Sequence, residues 1–277
     1  MTHAFTVDLE DWYDGIPITA ERKAAAERRL NVGTGRLLDL LARHNTRATF
    51  FALSSIVEKH PSILRQIADA GHEIGSHGLS HDLVYEMGPE RFREETRASI
   101  HSIQDCVGQP VTSYRAAYFS ITKKSLWALE TLVEEGIRFD SSIFPVNNWR
   151  YGIADFSRRP VVVETGSGPI IEFPISTRCV FSRNFPTTGG AYFRIYPYWL
   201  SRQNLKAAER ENLPVAFYLH PWELDPEHPR VRFKGKAMVT HYCNLGSTAA
   251  KLEKLLQEFQ FTTLSEVLTG VFPGTNS

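Results

Sequence analysis

Residues 71–81 read Gly-His-Glu-Ile-Gly-Ser-His-Gly-Leu-Ser-His, and this stretch carries the pattern from which the fold can be worked out. A helix predicted over residues 61–70 ends at Gly71, because glycine adopts the left-handed conformation of a helix C-terminus at little cost. A short strand is predicted over residues 73–75. His77 and His81 follow it, and two imidazoles four residues apart can bind one metal ion at about 2.0–2.1 Å, on a helix face or in a tight loop.

The histidine pair taken alone does not establish a metal site. The chain has ten histidines, so a pair at this spacing also arises by chance. A surface or core position explains such a pair at least as readily. The metal interpretation therefore depends on residues elsewhere in the chain.

The N-terminal stretch ends in acidic residues. An apolar and β-branched run over residues 4–9 predicts a buried strand. Successive strand side chains point to opposite faces, so Asp8 and Glu10 should project to one side while Leu9 packs on the other. Two neighbouring carboxylates repel each other unless a cation binds one of them. The pattern favours a cation site at the strand end, and a solvated acidic turn is the alternative.

A second apolar run, over residues 217–219, is followed directly by His220. The order is that of the first strand: an apolar run and then a side chain with acid or base capacity. A lone histidine at such a position is more often a structural residue than a catalyst, and both interpretations stay open on this run alone.

Five blocks, in this order, resemble the polysaccharide deacetylases of the NodB homology type, carbohydrate esterase family 4. The blocks are Asp8-x-Glu10, Ala48-Thr49-Phe50-Phe51, residues 71–81 with their two histidines, Arg115-x-x-Tyr118 and Leu219-His220. Residues 140–145, 220–226, 241–245 and 261–264 are similar to the subgroup associated with bacterial exopolysaccharide loci. The resemblance covers nearly the whole chain.

Apolar runs alternate with helical patterns, which indicates an α/β fold with a mostly parallel sheet. The resemblance implies a distorted (β/α)7 barrel whose strand C-terminal ends carry the site. Short apolar pieces between residues 141 and 195 predict a small antiparallel β insertion, and we expect one catalytic domain over residues 1–277. Strands are predicted at 5–7, 48–52, 73–75, 113–115, 138–140, 215–219 and 261–263, and helices at 61–70, 89–106, 123–135, 196–211 and 248–259, with another ending near His44.

The composition narrows the class of partner. Thirty-one basic and 31 acidic residues cancel, which argues against nucleic acid and favours a neutral or weakly charged substrate. No transmembrane run or signal peptide is recognisable, so we expect a cytoplasmic protein, with lipid-linked substrate at the inner membrane face as an alternative. Cys106, Cys179 and Cys243 are widely spaced, which argues against a disulfide framework and suits a reducing compartment.

The resemblance implies a metal-dependent hydrolase that removes N-acetyl groups from an amino sugar in a polysaccharide or glycan precursor. Glu10, His77 and His81 are the expected ligands of a divalent metal, most simply Zn²⁺, with Co²⁺, Ni²⁺ or Mn²⁺ as alternatives. Asp8 is the expected base that takes a proton from water. His220 is the expected acid that protonates the departing amine.

Three more residues have expected roles. Arg115 would pair with Asp8 and keep it ionised, unless the pair is only a surface salt bridge. Trp222 would form a wall of the acetyl pocket, although a buried tryptophan is more often only a core residue. Asp140 would orient His220 or cap the turn that follows it.

The chain departs from the family pattern at two positions. The family often has two adjacent aspartates where this chain has Asp8-x-Glu10, which makes Asp11 a rival ligand to Glu10. The family usually has proline before the tyrosine of the fourth block, whereas Ala117 precedes Tyr118 here. The backbone N–H of Tyr118 is therefore expected to stabilise the oxyanion from a less rigid turn.

Three alternatives to the sugar deacetylase remain. A hydrolase of the same fold could act on a small non-sugar amide, which a short enclosed cleft would favour. A non-catalytic glycan-binding relative could retain the fold. Two histidines and a carboxylate also form the facial triad of iron oxygenases, although those usually lie on a strand-rich jelly roll.

Overall fold

The structure is a computed structural model that describes residues 1–233 and 235–274, without the side chains of residues 236 and 237. A curled, mostly parallel sheet forms its centre. The strands are β1 (Thr2–Leu9), β2 (Thr49–Ala52), β3 (Glu73–Ser76), β4 (Ser113–Tyr114), β5 (Phe139–Asp140), β6 (Val161–Thr165), β7 (Gly168–Glu172), β8 (Thr177–Val180), β9 (Arg183–Pro186), β10 (Ala216–Leu219) and β11 (Gln260–Thr262).

The hydrogen-bonded order of the main sheet is β10-β1-β2-β3-β4-β5-β7-β6, and β11 pairs with the start of β1. The pairs are parallel except for β6 with β7, which form an antiparallel hairpin. A second antiparallel hairpin, β8 with β9, forms a separate sheet. This open half-barrel confirms the α/β class and the distorted barrel, and both hairpins lie in the stretch predicted as an antiparallel insertion.

The helices pack against the sheet and share two apolar clusters with it. They are α1 (Ala20–Ala24), α2 (Leu30–Arg43), α3 (Ser54–Lys59), α4 (Pro61–Asp69), α5 (Val84–Met87), α6 (Pro89–Val107), α7 (Trp127–Glu134), α8 (Gly190–Ile195), α9 (Tyr198–Arg210), α10 (Lys236–Tyr242), α11 (Leu245–Glu258) and α12 (Leu264–Val271). Two 3₁₀ turns, Ala117–Phe119 and Pro221–Leu224, follow β4 and β10. Among the described residues, no helix combines the length and the apolar surface needed to cross a bilayer.

Side chains of β1 alternate between two environments. Phe5, Val7 and Leu9 lie in the large core shared with the helices. Ala4 belongs to a second cluster, with residues of α12. The period of two therefore places Asp8 on the face opposite Leu9, as the sequence predicts.

All seven predicted strands are present, with ends shifted by at most one residue except at β1, which is longer. The helix predicted from residue 123 begins only at Trp127, because the hydroxyl of Ser125 binds the backbone of residues 120 and 122 and holds a turn there. The helix predicted from residue 248 begins three residues earlier, after Asn244. The expectation of one catalytic domain stays a prediction.

Candidate active site

Side chains that follow four parallel strands meet at one edge of the sheet. Asp8 and Glu10 lie at the end of β1, His77 follows β3, Arg115 follows β4, and His220 follows β10. Because the C-terminal ends of parallel strands lie at the same edge, residues far apart in sequence come together there. Four of these five line a cavity of about 380 Å³, with Arg115 directly behind it.

Glu10, His77 and His81 form the only group of metal-ligand side chains found among the described residues. Oε1 of Glu10 lies 2.9 Å from Nε2 of His77 and 2.8 Å from Nε2 of His81. The three atoms lie within 4.8 Å of one another, and the three side chains are buried or nearly so. One carboxylate and two imidazoles are a common ligand set of a catalytic zinc, and they leave a coordination position open.

The hydrogen bonds of His77 test whether the cluster suits a cation. Nδ1 of His77 lies 2.7 Å from the carbonyl oxygen of Arg115, which can only accept, so Nδ1 must carry the proton. Nε2 then faces the carboxylate of Glu10, which is also an acceptor when ionised. Either a second proton or a metal ion must lie between them, and a carbonyl that orients a metal-ligating histidine is the usual arrangement.

The pKa shifts of His77 and Glu10 also indicate that the cluster favours a positive charge. Burial alone would lower the pKa of His77, but its hydrogen bond to Glu10 and the nearby charge of Asp8 raise it. Burial alone would raise the pKa of Glu10, but the charge of His81 and the hydrogen bonds of both histidines lower it well below its usual value. The cluster therefore favours an ionised carboxylate beside a cationic centre.

His81 reaches the cluster from a loop and not from a helix. Its backbone φ is 58°, in the left-handed region, which costs a non-glycine residue roughly 1–2 kcal/mol. The loop is held at its start by the Ser76 hydroxyl, which accepts from the N–H of Gly78 and contacts the Ser99 hydroxyl. The ring of His81 lies against the edge of Tyr118, at 4.5 Å between centroids. Strain of this kind is concentrated at functional sites.

Arg115 holds Asp8 from behind the cavity. Its Nη1 donates to Oδ1 of Asp8 and to the hydroxyl of Thr6, both at 2.8 Å. Its Nε donates to the carbonyl of Ser141, and its Nη2 donates to the hydroxyl of the same residue. The guanidinium is fully buried and lies over the Phe51 ring at 4.4 Å. The surface salt bridge considered from sequence is thus wrong, because a guanidinium of zero exposure that donates four hydrogen bonds orients the carboxylate.

His220 is oriented by Glu223, three residues later. Its Nδ1 lies 2.8 Å from Oε1 of Glu223, which also accepts from the His220 backbone N–H. Arg194 donates to the other oxygen of Glu223, and both residues are buried. Burial alone would lower the pKa of His220, but the hydrogen bond to Glu223 and the charges of Glu10, Glu223 and Asp8 raise it to about 9. Nε2 of His220 lies 3.8 Å from Oδ2 of Asp8.

Glu223 and Arg194 were missed from sequence. A local signal for Glu223 exists: proline follows His220, and glutamate comes three residues after His220, which is the spacing of a capping box on a short helical turn. Arg194 has no such signal, because its partners Glu223, His241 and Cys243 are distant in the chain.

Asp140 does not orient His220, so that expectation is wrong. It lies on β5, which pairs with β4, the strand that precedes Arg115. Its Oδ1 accepts from the hydroxyl of Ser142. Its neighbour is Glu172 of β7, paired in register. Burial raises the pKa of both carboxyls, and the charge of Asp140 raises that of Glu172 well above its usual value. The bond to Ser142 fits the alternative that Asp140 holds the turn after β5.

Asp11 is turned away from the histidines. Its oxygens accept from the backbone N–H groups of Trp12, Arg29 and Leu30, so it caps the start of α2. These bonds leave Glu10, and not Asp11, beside His77 and His81.

Tyr118 and Trp222 both line the cavity. Tyr118 has a φ of 56° in its 3₁₀ turn, and its ring contacts both the His81 ring and the guanidinium of Arg150. Trp222 stacks between the rings of His220 and His241, at 5.3 and 4.2 Å. Its exposed fraction is 8 %, so it is a largely buried wall beside His220.

Two parts of the chain match known protein families. Residues 25–134 match the polysaccharide deacetylase family, and residues 141–269 match a domain of unknown function, DUF3473. The peptidoglycan deacetylase of Helicobacter pylori is 30% identical over 112 residues, 40% of this chain and 37% of that protein. The peptidoglycan-N-acetylglucosamine deacetylase of Bacillus cereus is 34% identical over 98 residues, 35% of this chain and 36% of that protein.

Among the curated relatives, a chitooligosaccharide deacetylase from Rhizobium leguminosarum is 27% identical over 125 residues, 45% of this chain and 54% of that protein. The chain thus spans between about a third and about half the length of these three relatives.

Solved structures share the fold across almost the whole chain. A protein of Mycobacterium smegmatis assigned to the polysaccharide deacetylases superposes with a TM-score of 0.68 at 20% identity, over 97% of this chain and 88% of that one. A peptidoglycan N-acetylglucosamine deacetylase superposes with a TM-score of 0.52 at 17% identity, over 96% of this chain and 86% of that one. At these identities the likeness shows the fold alone.

Proposed function

We propose, from the premise that this chain carries a polysaccharide deacetylase domain of the NodB homology type, carbohydrate esterase family 4, that it is a metal-dependent N-deacetylase. Its substrate would be an N-acetylated amino sugar in a polysaccharide or glycan precursor. The relatives named above are deacetylases of peptidoglycan or chitooligosaccharides, and they support this class of substrate. The observation that carries the proposal is that Asp8, His220 and the Glu10–His77–His81 cluster line one cavity.

Glu10, His77 and His81 are the proposed ligands of a divalent cation, most simply Zn²⁺, because their one-carboxylate, two-imidazole set suits zinc. Co²⁺, Ni²⁺ and Mn²⁺ are alternatives. Such a cation, when bound, polarises the acetyl carbonyl and lowers the pKa of water towards about 7. His77 supplies a neutral nitrogen to it, because the Arg115 carbonyl keeps the proton on Nδ1.

Asp8 is the proposed general base. Arg115 uses one carboxylate oxygen of Asp8, and Oδ2 remains directed to the side of the cavity where His220 lies. A carboxylate fixed on one oxygen can accept a proton on the other without losing its orientation. The attacking water would give its proton to Asp8 as it adds to the acetyl carbon.

His220 is the proposed general acid. Burial alone would lower the pKa of His220, but the hydrogen bond and the charge of Glu223 raise it, which favours a proton on both ring nitrogens at neutral pH. Glu223 holds Nδ1, so Nε2 faces the cavity and can protonate the departing amine. The backbone N–H of Tyr118 is the proposed donor to the oxyanion, and Trp222 the proposed wall of the acetyl pocket.

We also propose a biological process and a cellular location. The blocks shared with the exopolysaccharide-associated subgroup favour a role in making such a polymer. A cytoplasmic location is proposed because Cys106, Cys179 and Cys243 are unpaired, as thiols are in a reducing compartment. Fractionation of cells that express the complete gene tests the location.

The three alternative functions differ from the sugar deacetylase in fold, in catalytic residues or in substrate. The parallel sheet covered by helices is not the jelly roll expected of an iron oxygenase. A non-catalytic relative would not need a base held by Arg115 and an acid held by Glu223. Acetate release from small amides, and none from sugars, would select the hydrolase of a non-sugar amide.

Metal analysis combined with acetate release from a panel of N-acetylated oligosaccharides tests the function. We expect about one divalent ion per chain, and we expect His77→Ala to lose both the ion and turnover. Asp8→Asn should retain the ion and the fold but lose acetate release by a factor of at least 100, the lower range for a general base. His101→Ala and Asp155→Asn, both at exposed positions, are the matched controls. Unchanged turnover in His77→Ala or Asp8→Asn would remove the mechanism.

A further inference from the structure

The wall of the cavity contains an arginine that the proposed chemistry does not use. Arg150 lies between β5 and β6, and its guanidinium carbon is 3.8 Å from the centre of the Tyr118 ring. The backbone of Arg150 is held at both ends, because its N–H donates to Asn148 and its carbonyl accepts from the Tyr85 hydroxyl. The His81 ring contacts the same tyrosine, at 4.5 Å between ring centroids. The Tyr118 ring therefore contacts both Arg150 and a proposed metal ligand.

The other charged side chains of the cavity already have partners of opposite charge. Asp8 pairs with Arg115, and Arg194 pairs with Glu223. Glu10 accepts from the two histidines and would bind the cation. Within the described ranges 1–233 and 235–274, no carboxylate oxygen lies within 4.0 Å of a nitrogen of Arg150.

This arrangement gives the cavity a positive charge that is open to a ligand. A guanidinium stacked on an aromatic ring uses its face and leaves the N–H groups of its edge to donate. One N–H group of Arg150 is directed to the Tyr118 hydroxyl, and the others remain for a ligand. These N–H groups form a planar fork that fits a carboxylate or a phosphate by two parallel hydrogen bonds. A divalent cation on Glu10 would add to the positive charge rather than cancel it.

We infer that the sugar deacetylated here carries an anionic group, a carboxylate or a phosphate, that binds Arg150 while its acetamido group lies at the Glu10–His77–His81 cluster. The inference rests on the proposed function and names its substrate class. It differs from the neutral substrate expected from the balanced composition, because net charge averages over the surface whereas recognition depends on the charges that line the site.

Three N-acetylated probes separate the possibilities. Chitotetraose is neutral, a tetrasaccharide of alternating glucuronic acid and N-acetylglucosamine carries carboxylates, and N-acetylglucosamine 6-phosphate carries phosphate. The carboxyl-reduced tetrasaccharide is the neutral match of the carboxylate probe, and N-acetylglucosamine is the neutral match of the phosphate probe. Acetate release and equilibrium dissociation constants would be measured for the metal-loaded wild type, Arg150→Met and Arg150→Lys, with Arg183→Met, at an exposed position outside the cavity, as the control.

We expect one anionic probe to bind at least about tenfold more tightly than its neutral match, and Arg150→Met to remove that preference, as for loss of a charge-assisted hydrogen bond. Arg150→Lys should restore only part of it, because lysine has no planar fork. The carboxylate and phosphate probes identify the source of the charge.

Different results would overturn the proposed hydrolysis and the proposed role of Arg150. If acetate is released but Arg150→Met weakens neutral and anionic probes equally, Arg150 only supports Tyr118 and the inference is overturned. If no anionic probe binds better than its neutral match, the inference is overturned as well. If the charged probe binds through Arg150 but no probe releases acetate, the proposed hydrolysis fails while the anionic site stands.

Discussion

His220 is kept protonated by a neighbour in its own turn. Glu223 accepts from both the ring and the backbone of His220, and Arg194 keeps the pKa of Glu223 at about 2 against the opposing effect of burial. A carboxylate that stays ionised favours the protonated form of the histidine it contacts. In this chain the partner of the proposed acid therefore comes from the turn after β10, and Asp140 on β5 has no part in it.

We predict that Glu223→Gln moves the basic limb of the pH profile to lower pH. In the wild type, the hydrogen bond to Glu223 raises the pKa of His220, and the protonated acid is lost as pH rises through that pKa. The substitution removes one charged hydrogen bond and leaves the effect of burial, which lowers the pKa of His220. The limb of kcat/KM should fall by about one to two pH units, the range for a hydrogen bond to a charged group.

The measurement is kcat/KM for acetate release between pH 6 and about 10. The amide oxygen of the substituted side chain can accept from Arg194 or from the His220 N–H but not from both, so circular dichroism is used to check that the variant is folded. A limb that stays at its wild-type position in the folded variant would show that His220 is not the group that titrates.

At the scale of elements, the C-terminal ends of β1, β3, β4 and β10 deliver the site, and the turn after β10 depends on its contact with α2. A Cβ on Gly33 of α2 would lie 2.2 Å from the carbonyl oxygen of Pro221. That distance is shorter than any real contact, so glycine lets the helix approach the turn that carries Trp222 and Glu223. Asp11 caps the same helix and fixes its start near β1.

We predict that Gly33→Ala destabilises the protein by about 1–3 kcal/mol, the usual cost of overpacking, and lowers acetate release because the turn must move. Gly35→Ala on the same helix is the matched control, since its Cβ would meet nothing within 4 Å. It should be neutral or stabilising by up to about 1 kcal/mol, because alanine is the better helix former. Urea denaturation of both variants measures the difference, and equal free energies of unfolding would contradict the tight contact.

At the scale of the whole molecule, the proposed metal site joins the first strand to the loop after β3. Glu10 is at the end of β1, and His81 is held in a left-handed backbone conformation to reach it. A cation that binds the folded chain and not the unfolded one stabilises the fold by mass action. The metal should therefore contribute to stability as well as to chemistry.

We predict that Zn²⁺ at 100 times its Kd raises the free energy of unfolding by about 2.7 kcal/mol and raises Tm by about 5–10 °C. The comparison is with protein stripped by EDTA and dialysed, measured by differential scanning calorimetry. His81→Ala should lose the response, and His101→Ala, at an exposed position, should keep it. Superimposable curves with and without Zn²⁺ would rule out a metal bound by the fold.

The sequence alone determined the strands, the α/β class and most of the residues at the strand ends. These follow from local rules: a period of two directs Asp8 and Glu10 to one side, glycine ends a helix before His77, and parallel strands align their C-terminal ends. Short-range patterns of this kind depend on the sterics and hydrophobicity of residues that are close in sequence, so they can be recognised without the tertiary structure. The short helix α12 was missed, although Thr263 caps its start.

Only the tertiary structure decided which polar groups meet. It paired Asp140 with Glu172, turned Asp11 towards α2, brought Arg194 to Glu223 and left Arg150 facing the cavity without a carboxylate partner among the residues described. Charged side chains find partners through the packing of distant elements, and the energy of each pair depends on burial that no local pattern specifies. The residues at the strand ends could therefore be predicted from the sequence, while the electrostatic environment of the site was decided by the fold.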